Sequence, residues 1–482
     1  MPRFPSSLTA VLAAAALAGC ASTTAPFTRP AAPTMQSYTP TANEATAPAA
    51  SGAQRIIVVQ APEPAWWRAL QSPGLDALIE QAFKASPTLA AAQALLTQAQ
   101  ARQQAQADSM RMPQVDAGLG MQQQRATGAA QGQEGTGREF RLYSASVGVR
   151  YQFDLSGVQG HTLQQLADRT AWRRHELDAA RLMLAGQIAQ AAITRARLAA
   201  QIEVSDALLS GQLRQLHLAH ERQRLGQALP DEALALATQA EQTRASLPPL
   251  RRQLQQTEHL LALLCGQAPG TAQVPAFVLA DFTLPAELPL LVPSALVRQR
   301  PDIQASEALL HAAHAEHGAA VARRYPQLTL SASLGSQALA AGALFGGASA
   351  VWALGAQLGA PLFNAAQPSE EQAAMAALDA ASANYQSVVL QALREVADVL
   401  RAIEHDAQTE QALMSADASA RQSVQLAEER LRLGAVSEVQ LLIAQQQAQQ
   451  SALQRVAAQA QRLSDSVALY QAIGAASART PG

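Results

Sequence analysis

Three histidines and a glutamate form a candidate metal site in the second half of the chain. His311, His314 and His317 recur at a spacing of three, with Glu316 between the last two. On a helix this spacing brings successive imidazoles near one face, where they could bind a metal ion. An alanine- and histidine-rich helix in solvent or at an interface has the same pattern, and we favour that interpretation. We therefore predict no metal site, and metal binding by this cluster remains the alternative.

The signatures of common enzyme classes are absent from the sequence. It contains no CxxC, HExxH or GxSxG pattern, and these mark thiol redox proteins, zinc proteases and serine hydrolases. Lys84 is the only lysine and lies outside any glycine-rich loop, so there is no phosphate-binding Walker loop. The formal net charge of -2 provides no electrostatic footprint for nucleic acid. The residues therefore give no support to these enzyme classes or to nucleic-acid binding.

The first twenty residues have the pattern of a lipoprotein export signal. Basic Arg3 precedes an uncharged apolar run from Leu8 to Leu17, which predicts a signal peptide over 1–19 and is too short to span a membrane. The run ends in Leu-Ala-Gly-Cys and resembles a bacterial lipobox, in which Cys20 carries the lipid, palmitate included. Alanine after this cysteine, instead of aspartate, is typical of delivery to the outer membrane. The alternative is an ordinary signal peptide with a chance cysteine.

Two further features of the sequence, the segment that follows the anchor and the second cysteine, indicate no catalytic role. Residues 20–60 are rich in proline, threonine, alanine and serine, so we predict a lipid-anchored linker that cannot bury a core. Cys265 follows two leucines and is predicted to be a small buried thiol. No uncharged apolar stretch after Cys20 reaches spanning length, so any membrane crossing must be made by strands.

Four stretches alternate apolar and polar residues with a period of two. They lie at about 113–125, 140–155, 326–335 and 348–362. An apolar outer face and a small, polar inner face are what lipid-facing barrel strands require, and an ordinary soluble sheet with one wet face is the alternative. Four strands cannot close a barrel, and an open edge cannot survive in lipid. We therefore predict that several chains share one barrel.

Two long helices are predicted, from about 158 to 225 and from about 367 to 433. At 1.5 Å per residue each is on the order of 100 Å long. Apolar residues recur at seven-residue spacing in these segments and again over 456–470, which predicts coiled-coil packing. They are Ile188, Ile202, Leu209, Leu216, Leu393, Leu400, Ala407, Met414, Val456, Leu463 and Tyr470. Gly226 and Gly434 follow the long helices and predict the reversals of two hairpins.

The same landmarks occur twice in the same order, about 210 residues apart, which predicts an internal repeat. A Pro-Gln pair precedes the first strand of each half, and an Arg-Leu-Gly triplet ends each long helix. The predicted organisation is a signal peptide (1–19), a linker (20–60), a first repeat (61–270), a second repeat (271–474) and a C-terminal tail (475–482).

These segments resemble the NodT-type lipoproteins of the TolC-like outer-membrane efflux family. The most specific match is Arg300-Pro301-Asp302-Ile303, and Trp66-Trp67-Arg68 resembles the opening of the family's sequences. The resemblance runs from Cys20 to about Gly474. It implies a mixed, mainly α fold with four transmembrane β-strands per chain. Three chains would form a shared twelve-stranded β-barrel and a twelve-helix periplasmic tunnel.

The resemblance implies a passive exit duct of a tripartite efflux pump for small molecules, a protein that is not an enzyme and needs no cofactor. An inner-membrane pump of the resistance-nodulation-division type would supply the energy, and a periplasmic adaptor protein would bridge the gap. The hairpin tips would contact the adaptor through Arg224, Leu225, Gly226, Arg432, Leu433 and Gly434. The outer-membrane component of a type I protein secretion system is the alternative within transport. A periplasmic coiled-coil scaffold lipoprotein is the alternative from another class.

The resemblance also implies a periplasmic aperture. In TolC-like channels the returning helix of the second hairpin often carries two aspartates three residues apart, which form rings of carboxylates. The corresponding residues here are Gln440 and Ile443, so the chain departs from that pattern. We expect a constriction by steric closure, with Ile443 as an apolar plug and Gln440 hydrogen-bonding between chains. Glu438 is the nearest carboxylate.

Overall fold

The computed structural model divides the chain into two compact units. Among the residues that the structure describes, the first unit holds those up to Pro30, within Leu96–Arg173 and within Ser306–Tyr385, and the second holds those within Ala31–Leu95, Arg174–Ala305 and Gln386–Gly482. The structure describes residues 26–30, 37–39, 46–47, 52–61, 63–126, 138–227 and 229–475. The predicted signal peptide and the anchor residue Cys20 lie outside these ranges, as do residues 476–482 of the predicted tail.

Helices make up most of the described chain. They are α1 (Pro73–Ala85), α2 (Pro87–Arg111), α3 (Val158–Arg224), α4 (Pro230–Leu264), α5 (Pro293–Gln299), α6 (Pro301–Ala322), α7 (Gln367–Arg432) and α8 (Glu438–Ala472). Many of them begin at a proline, since its fixed φ suits the first helical position and it has no N–H to leave unpaired there. Across the described ranges, we find no helix with both the length and the apolar composition needed to span a bilayer.

The strands form one sheet in each unit. They are β1 (Thr46–Ala47), β2 (Gln54–Val58), β3 (Gln114–Ala126), β4 (Arg138–Phe153), β5 (Glu287–Leu290), β6 (Gln327–Ala338) and β7 (Ala350–Gly359). The first unit holds an antiparallel sheet in the order β3-β4-β6-β7, and the second holds β1-β2-β5. The four strands of the antiparallel sheet overlap the four stretches of predicted alternation.

The register of the antiparallel sheet separates apolar from small residues. One row across it joins Ala117, Val147, Leu334 and Trp352, and the last three side chains are exposed. The row one position along β4 places glycine opposite Ser146 on both neighbouring strands. One face of the sheet is therefore a continuous apolar surface on the single chain.

The two long helices have 67 and 66 residues in α3 and α7, close to their predicted bounds. Most of the heptad residues are buried within the single chain. Those that are only partly buried are Ile202, Leu209, Leu216 and Met414. Cys265 is buried as predicted, and burial raises the pKa of its thiol to about 11.

The predicted linker ends earlier than residue 60. Residues Gln54–Val58 form β2, which pairs in parallel with β5. The Gln54 amide is buried and donates hydrogen bonds to the carbonyl of Pro285 over 3.1 Å and to Ser466 Oγ over 3.0 Å. The local run Ile-Ile-Val favours a strand. The prediction missed it because the surrounding segment is rich in proline, threonine, alanine and serine. The part of the segment closest to the folded chain is thus structured.

The Arg-Pro-Asp signature has a structural role in the second unit. The Arg300 guanidinium is buried and pairs with Asp302 over 2.9 Å and with Glu395 of α7. It also donates to the carbonyl of Ala472 over 2.9 Å, at the end of α8. One arginine therefore joins the start of α6 to both helices of the second hairpin.

Candidate functional site

The first hairpin reverses in a turn that glycine makes possible. Helix α3 ends at Arg224, and Gly226 has a φ of 71°. Its N–H donates to the carbonyl of Gln223 over 2.9 Å, and the N–H of Gln227 donates to the carbonyl of Arg222 over 2.8 Å. These two bonds are those of a Schellman motif, which satisfies the last carbonyls of a helix.

The second hairpin reverses in the same way. Gly434 has a φ of 69°, and its N–H donates to Leu431 over 2.9 Å while Ala435 donates to Arg430 over 2.8 Å. Ser437 then caps α8, since its Oγ accepts from the N–H of Gln440 over 3.4 Å. Both Arg-Leu-Gly triplets therefore end a long helix, as the sequence predicts.

The tips expose apolar and basic side chains. Leu225 is 63% exposed and Leu433 is 76% exposed. Arg224 is also exposed and pairs with Glu221 one turn earlier on α3, over 2.8 Å. Arg432 is exposed in the last turn of α7. An apolar tip flanked by cations suits contact with another protein more than contact with solvent.

An ion pair connects the two hairpins near these tips. Arg222 Nη1 lies 3.4 Å from Glu232 of the first hairpin and is hydrogen-bonded to Glu438 of the second. Sequence reasoning named Glu438 as the nearest carboxylate of the aperture but missed Arg222. A usable signal is the charge pattern, because α3 ends in basic residues while α4 and α8 begin with acidic ones.

Gln440 and Ile443 share an exposed face in the first turns of α8. Ile443 is 58% exposed, whereas Leu441 and Leu442 between them are buried. Leu442 packs against the first hairpin in a cluster with Ala219, Ala233 and Leu236. Because α8 rests on the first hairpin through this cluster, the opposite face with Gln440 and Ile443 is left uncovered in the single chain. These two residues lie together, and Glu438 turns toward Arg222 instead.

The histidines of α6 lie in the first unit. The ring of His311 is 3.9 Å from that of Phe27, and the ring of His314 is 5.6 Å from it. Burial lowers the pKa of His314, and the neighbouring His317, His161 and His311 lower it further. In the part of the chain that the structure describes, no group of three or more His, Cys, Asp or Glu side chains is arranged to hold a metal ion.

Comparison with known sequences decides the family. The model of the family "Outer membrane efflux protein" matches residues 78–267 and 292–475. The chain belongs to this family. It is therefore an outer-membrane efflux protein, the exit duct of an efflux system. Members of the family are ducts of efflux systems and are not known as enzymes.

Several named relatives cover most of the chain. The pyoverdine export outer membrane protein OpmQ of Pseudomonas putida is 31% identical over 432 residues, which is 89% of this chain and 90% of OpmQ. The toluene efflux pump outer membrane protein TtgC of Pseudomonas putida is 28% identical over 422 residues, 86% of each protein. The "Probable outer membrane lipoprotein SilC" of Salmonella typhimurium is 26% identical over 388 residues, 80% of each.

Solved structures share the fold. The outer membrane protein VceC of Vibrio cholerae has a TM-score of 0.76 and 26% identity, covering 86% of this chain and all of VceC. A membrane protein from Pseudomonas aeruginosa has a TM-score of 0.84 and 24% identity, covering 95% of this chain and 99% of that one. The mainly helical fold with a four-stranded antiparallel sheet is thus that of TolC-like channels.

Proposed function

We propose that three copies of the efflux protein assemble into one channel, with a shared twelve-stranded barrel and a twelve-helix tunnel. The supporting observation is the antiparallel sheet of the first unit. Its edge strands β3 and β7 each pair on one side only within the described residues, and its apolar face is exposed. Strands of neighbouring chains would complete the edges, and lipid would cover the apolar face.

The assembly and its membrane face can be tested together. The protein in detergent should have the mass of a trimer by light scattering. Replacing Val147 on the apolar face by arginine should cost about 2–4 kcal/mol if it lies near the bilayer midplane. Replacing the neighbouring Ser146, on the small face, by arginine is the matched control and should be milder. A monomer with intact strand content in circular dichroism would contradict the proposal.

The hairpin tips are proposed as the contact for a periplasmic adaptor protein. The triplets Arg224-Leu225-Gly226 and Arg432-Leu433-Gly434 have the same backbone turn and expose a leucine beside an arginine. Replacing Leu225 and Leu433 by serine should weaken adaptor capture from the periplasm without changing the trimer. Unchanged capture would place the adaptor contact elsewhere on the chain.

Gln440 and Ile443 are proposed to line the periplasmic aperture. Their shared exposed face on α8 supports this assignment, since a face that closes a tunnel near a threefold axis must be uncovered in a single chain. Ile443 would act as an apolar plug, and Gln440 would hydrogen-bond between chains, at about 1 kcal/mol per bond. Glu438 takes part in the aperture only if it leaves Arg222.

Small molecules are the proposed cargo, delivered by an inner-membrane pump of the resistance-nodulation-division type. The names of OpmQ and TtgC, which refer to pyoverdine export and toluene efflux, support this class over protein secretion. A type I protein exporter partner remains the alternative. Identification of the pump that co-purifies with the channel and its adaptor would decide between them.

We also propose the lipid anchor at Cys20 and the duplicated organisation of the chain. The name of SilC as a lipoprotein supports the anchor. The repeats would comprise 61–270 and 271–474. The match of one family model to two successive stretches and the matching turns at Gly226 and Gly434 support them.

A further inference from the structure

Helices α7 and α8 are joined by two ion pairs one heptad apart. Glu410 and Asp417 lie seven residues apart on α7, and Arg455 and Arg462 lie seven apart on α8. Arg462 Nη1 donates to Glu410 over 2.9 Å, and Arg455 Nε donates to Asp417 over 3.0 Å. We call this contact the α7–α8 seam. Its charged residues follow the seven-residue repeat of the coiled coil.

The seam is sealed from solvent at Arg462. Both Arg462 and Glu410 have side chains that are only 1% exposed. Arg462 also donates to Gln54 of β2 over 2.8 Å, and Gln54 in turn donates to Ser466. A charge this deeply buried is stable only when it is neutralised and hydrogen-bonded, and here one acid and one base neutralise each other.

Two carboxyl groups meet one turn further along the same faces. Asp406 precedes Glu410 by four residues on α7, and Asp465 follows Arg462 by three on α8. Asp465 is 5% exposed, and the antiparallel register set by the two ion pairs places the carboxyl group of Asp406 beside it. Gln461 donates to its Oδ1 over 2.9 Å. Two ionised carboxylates have no proton to donate, so a hydrogen bond between these two carboxyl groups requires one.

An unsatisfied oxygen points to the same proton. Among the described residues no N–H or hydroxyl group donates to Oδ2 of Asp465. A buried carboxylate oxygen without a donor is costly. A proton held between the two aspartates removes this cost, because it turns one of them into a donor for the other.

The charges that face the pair do not neutralise a second carboxylate. On α8, Arg462 is engaged by Glu410 of α7, and β2 contributes a neutral amide. From α3, Arg197 lines the cavity that Asp465 also lines, and its Nη1 donates to Gln201 of the same helix over 3.3 Å. With Asp406 and Asp465 both ionised, three acids would face the single buried base of the seam.

We propose that Asp406 and Asp465 form a proton-sharing pair that holds α7 to α8 while it carries one proton and loosens the second hairpin when that proton leaves. The released proton has a route to solvent, since Asp465 lines a cavity of about 440 Å³ together with Gln190 and Thr194 of α3. The pKa of Asp465 is raised to about 7, first by burial and then by the hydrogen bond and charge of Asp406. Gln461 and Arg462 act in the opposite direction.

The α7–α8 seam is consequently most stable in mild acid. The folded-state pKa of Asp465 lies above that of an unfolded aspartate, which is about 3.9. Between the two values the folded protein keeps a proton that the unfolded chain has released, so folding stability decreases as the pH rises. The decrease extends from about pH 4 to pH 7 and levels off above the folded-state pKa.

Thermal unfolding of the full-length protein in detergent tests this pair. The wild-type midpoint should fall by about 2 °C between pH 5.5 and 8.5. Asp465→Asn and Asp406→Asn should each remove most of this decrease, because either one abolishes the shared proton. Asp398→Asn is the matched control, since Asp398 is on α7 and its side chain is 67% exposed. An unchanged pH dependence in both pair variants would overturn the proposal.

Infrared spectroscopy of the wild-type protein provides an independent measurement. A C=O stretching band of a protonated carboxylic acid should be present at pH 6 and should disappear as the pH rises past 8. The band should be missing in Asp465→Asn at both pH values. If the asparagine variants do not fold, the wild-type titration decides alone, and absence of the band at pH 6 would refute the shared proton.

Discussion

Arg222 ties the two hairpins of one chain together, and its replacement by glutamine tests what that contact does. Its guanidinium pairs with Glu232 of the first hairpin and with Glu438 of the second. Glutamine keeps the start of the aliphatic stem and removes the charge. We expect Arg222→Gln to weaken the hold of the first hairpin on the second and so to favour opening of the periplasmic end.

The size of the effect follows from the exposure of the pair. The side chains of Arg222 and Glu438 are 43% and 24% exposed, and partly exposed ion pairs contribute about 0.2–1 kcal/mol. We take about 0.5–1 kcal/mol per chain for the pair between hairpins. Three such pairs in the proposed trimer sum to about 1.5–3 kcal/mol, which shifts an open–closed equilibrium roughly 10- to 150-fold.

Single-channel recording in planar bilayers measures this shift. Open probability should rise in Arg222→Gln, and the difference from wild type should shrink in about 1 M salt, where charges are screened over about 3 Å. Arg224→Gln is the matched control, because Arg224 is 72% exposed and pairs within its own helix. The assignment is wrong if Arg222→Gln conducts like wild type, or if Arg224→Gln opens the channel equally.

The remaining predictions concern the anchor, the aperture and the buried arginine. Cys20→Ser should leave an unlipidated precursor, whereas mass spectrometry of the mature wild type should find an acylated cysteine at its amino terminus. Gln440→Ala combined with Ile443→Ala should raise conductance, and divalent cations should block the wild type only weakly; tight block would indicate a carboxylate ring. Arg300→Met should lower the free energy of unfolding by about 2–3 kcal/mol, because Asp302 and Glu395 would lose their positively charged partner. Burial raises the pKa of Glu395, but the hydrogen bond and charge of Arg300 outweigh it and the pKa is lowered. The loss of stability caused by Arg300→Met should therefore be smaller at low pH, where Glu395 is protonated. Thermal unfolding of both proteins at several pH values measures this difference.

The strands and long helices could be predicted because their signals are local. Alternation of apolar and polar residues runs through most of each strand of the antiparallel sheet, and the seven-residue spacing recurs within the helices. The parallel pair β2–β5 could not be predicted in this way. β5 has only four residues, and its partner lies more than 200 residues earlier in the chain. Pairing between such distant short segments depends on tertiary packing.

The candidate site, too, could be predicted from the sequence only where its signals are local. Gly226 and Gly434 mark the hairpin reversals because a left-handed residue after a long helix is a local requirement. That Glu438 turns to Arg222, and that Asp465 meets Asp406, depends on which faces of separate helices are in contact. Heptad spacing of acids on one helix and bases on its neighbour is the sequence signal that would have located the α7–α8 seam.

The matched lengths of the helices constrain how the length of the two hairpins can change between related proteins. α3 and α7 have 67 and 66 residues, and α4 and α8 have 35 each. One residue inserted into α7 alone would advance its end by about 1.5 Å and rotate it by about 100°, so Leu442 and Arg222 would lose their partners. A block of seven residues added to all four helices would extend both hairpins by about 10 Å and keep every contact face in phase. Relatives that bridge a wider or narrower periplasm should therefore differ from this chain in discrete, paired steps rather than by gradual insertion.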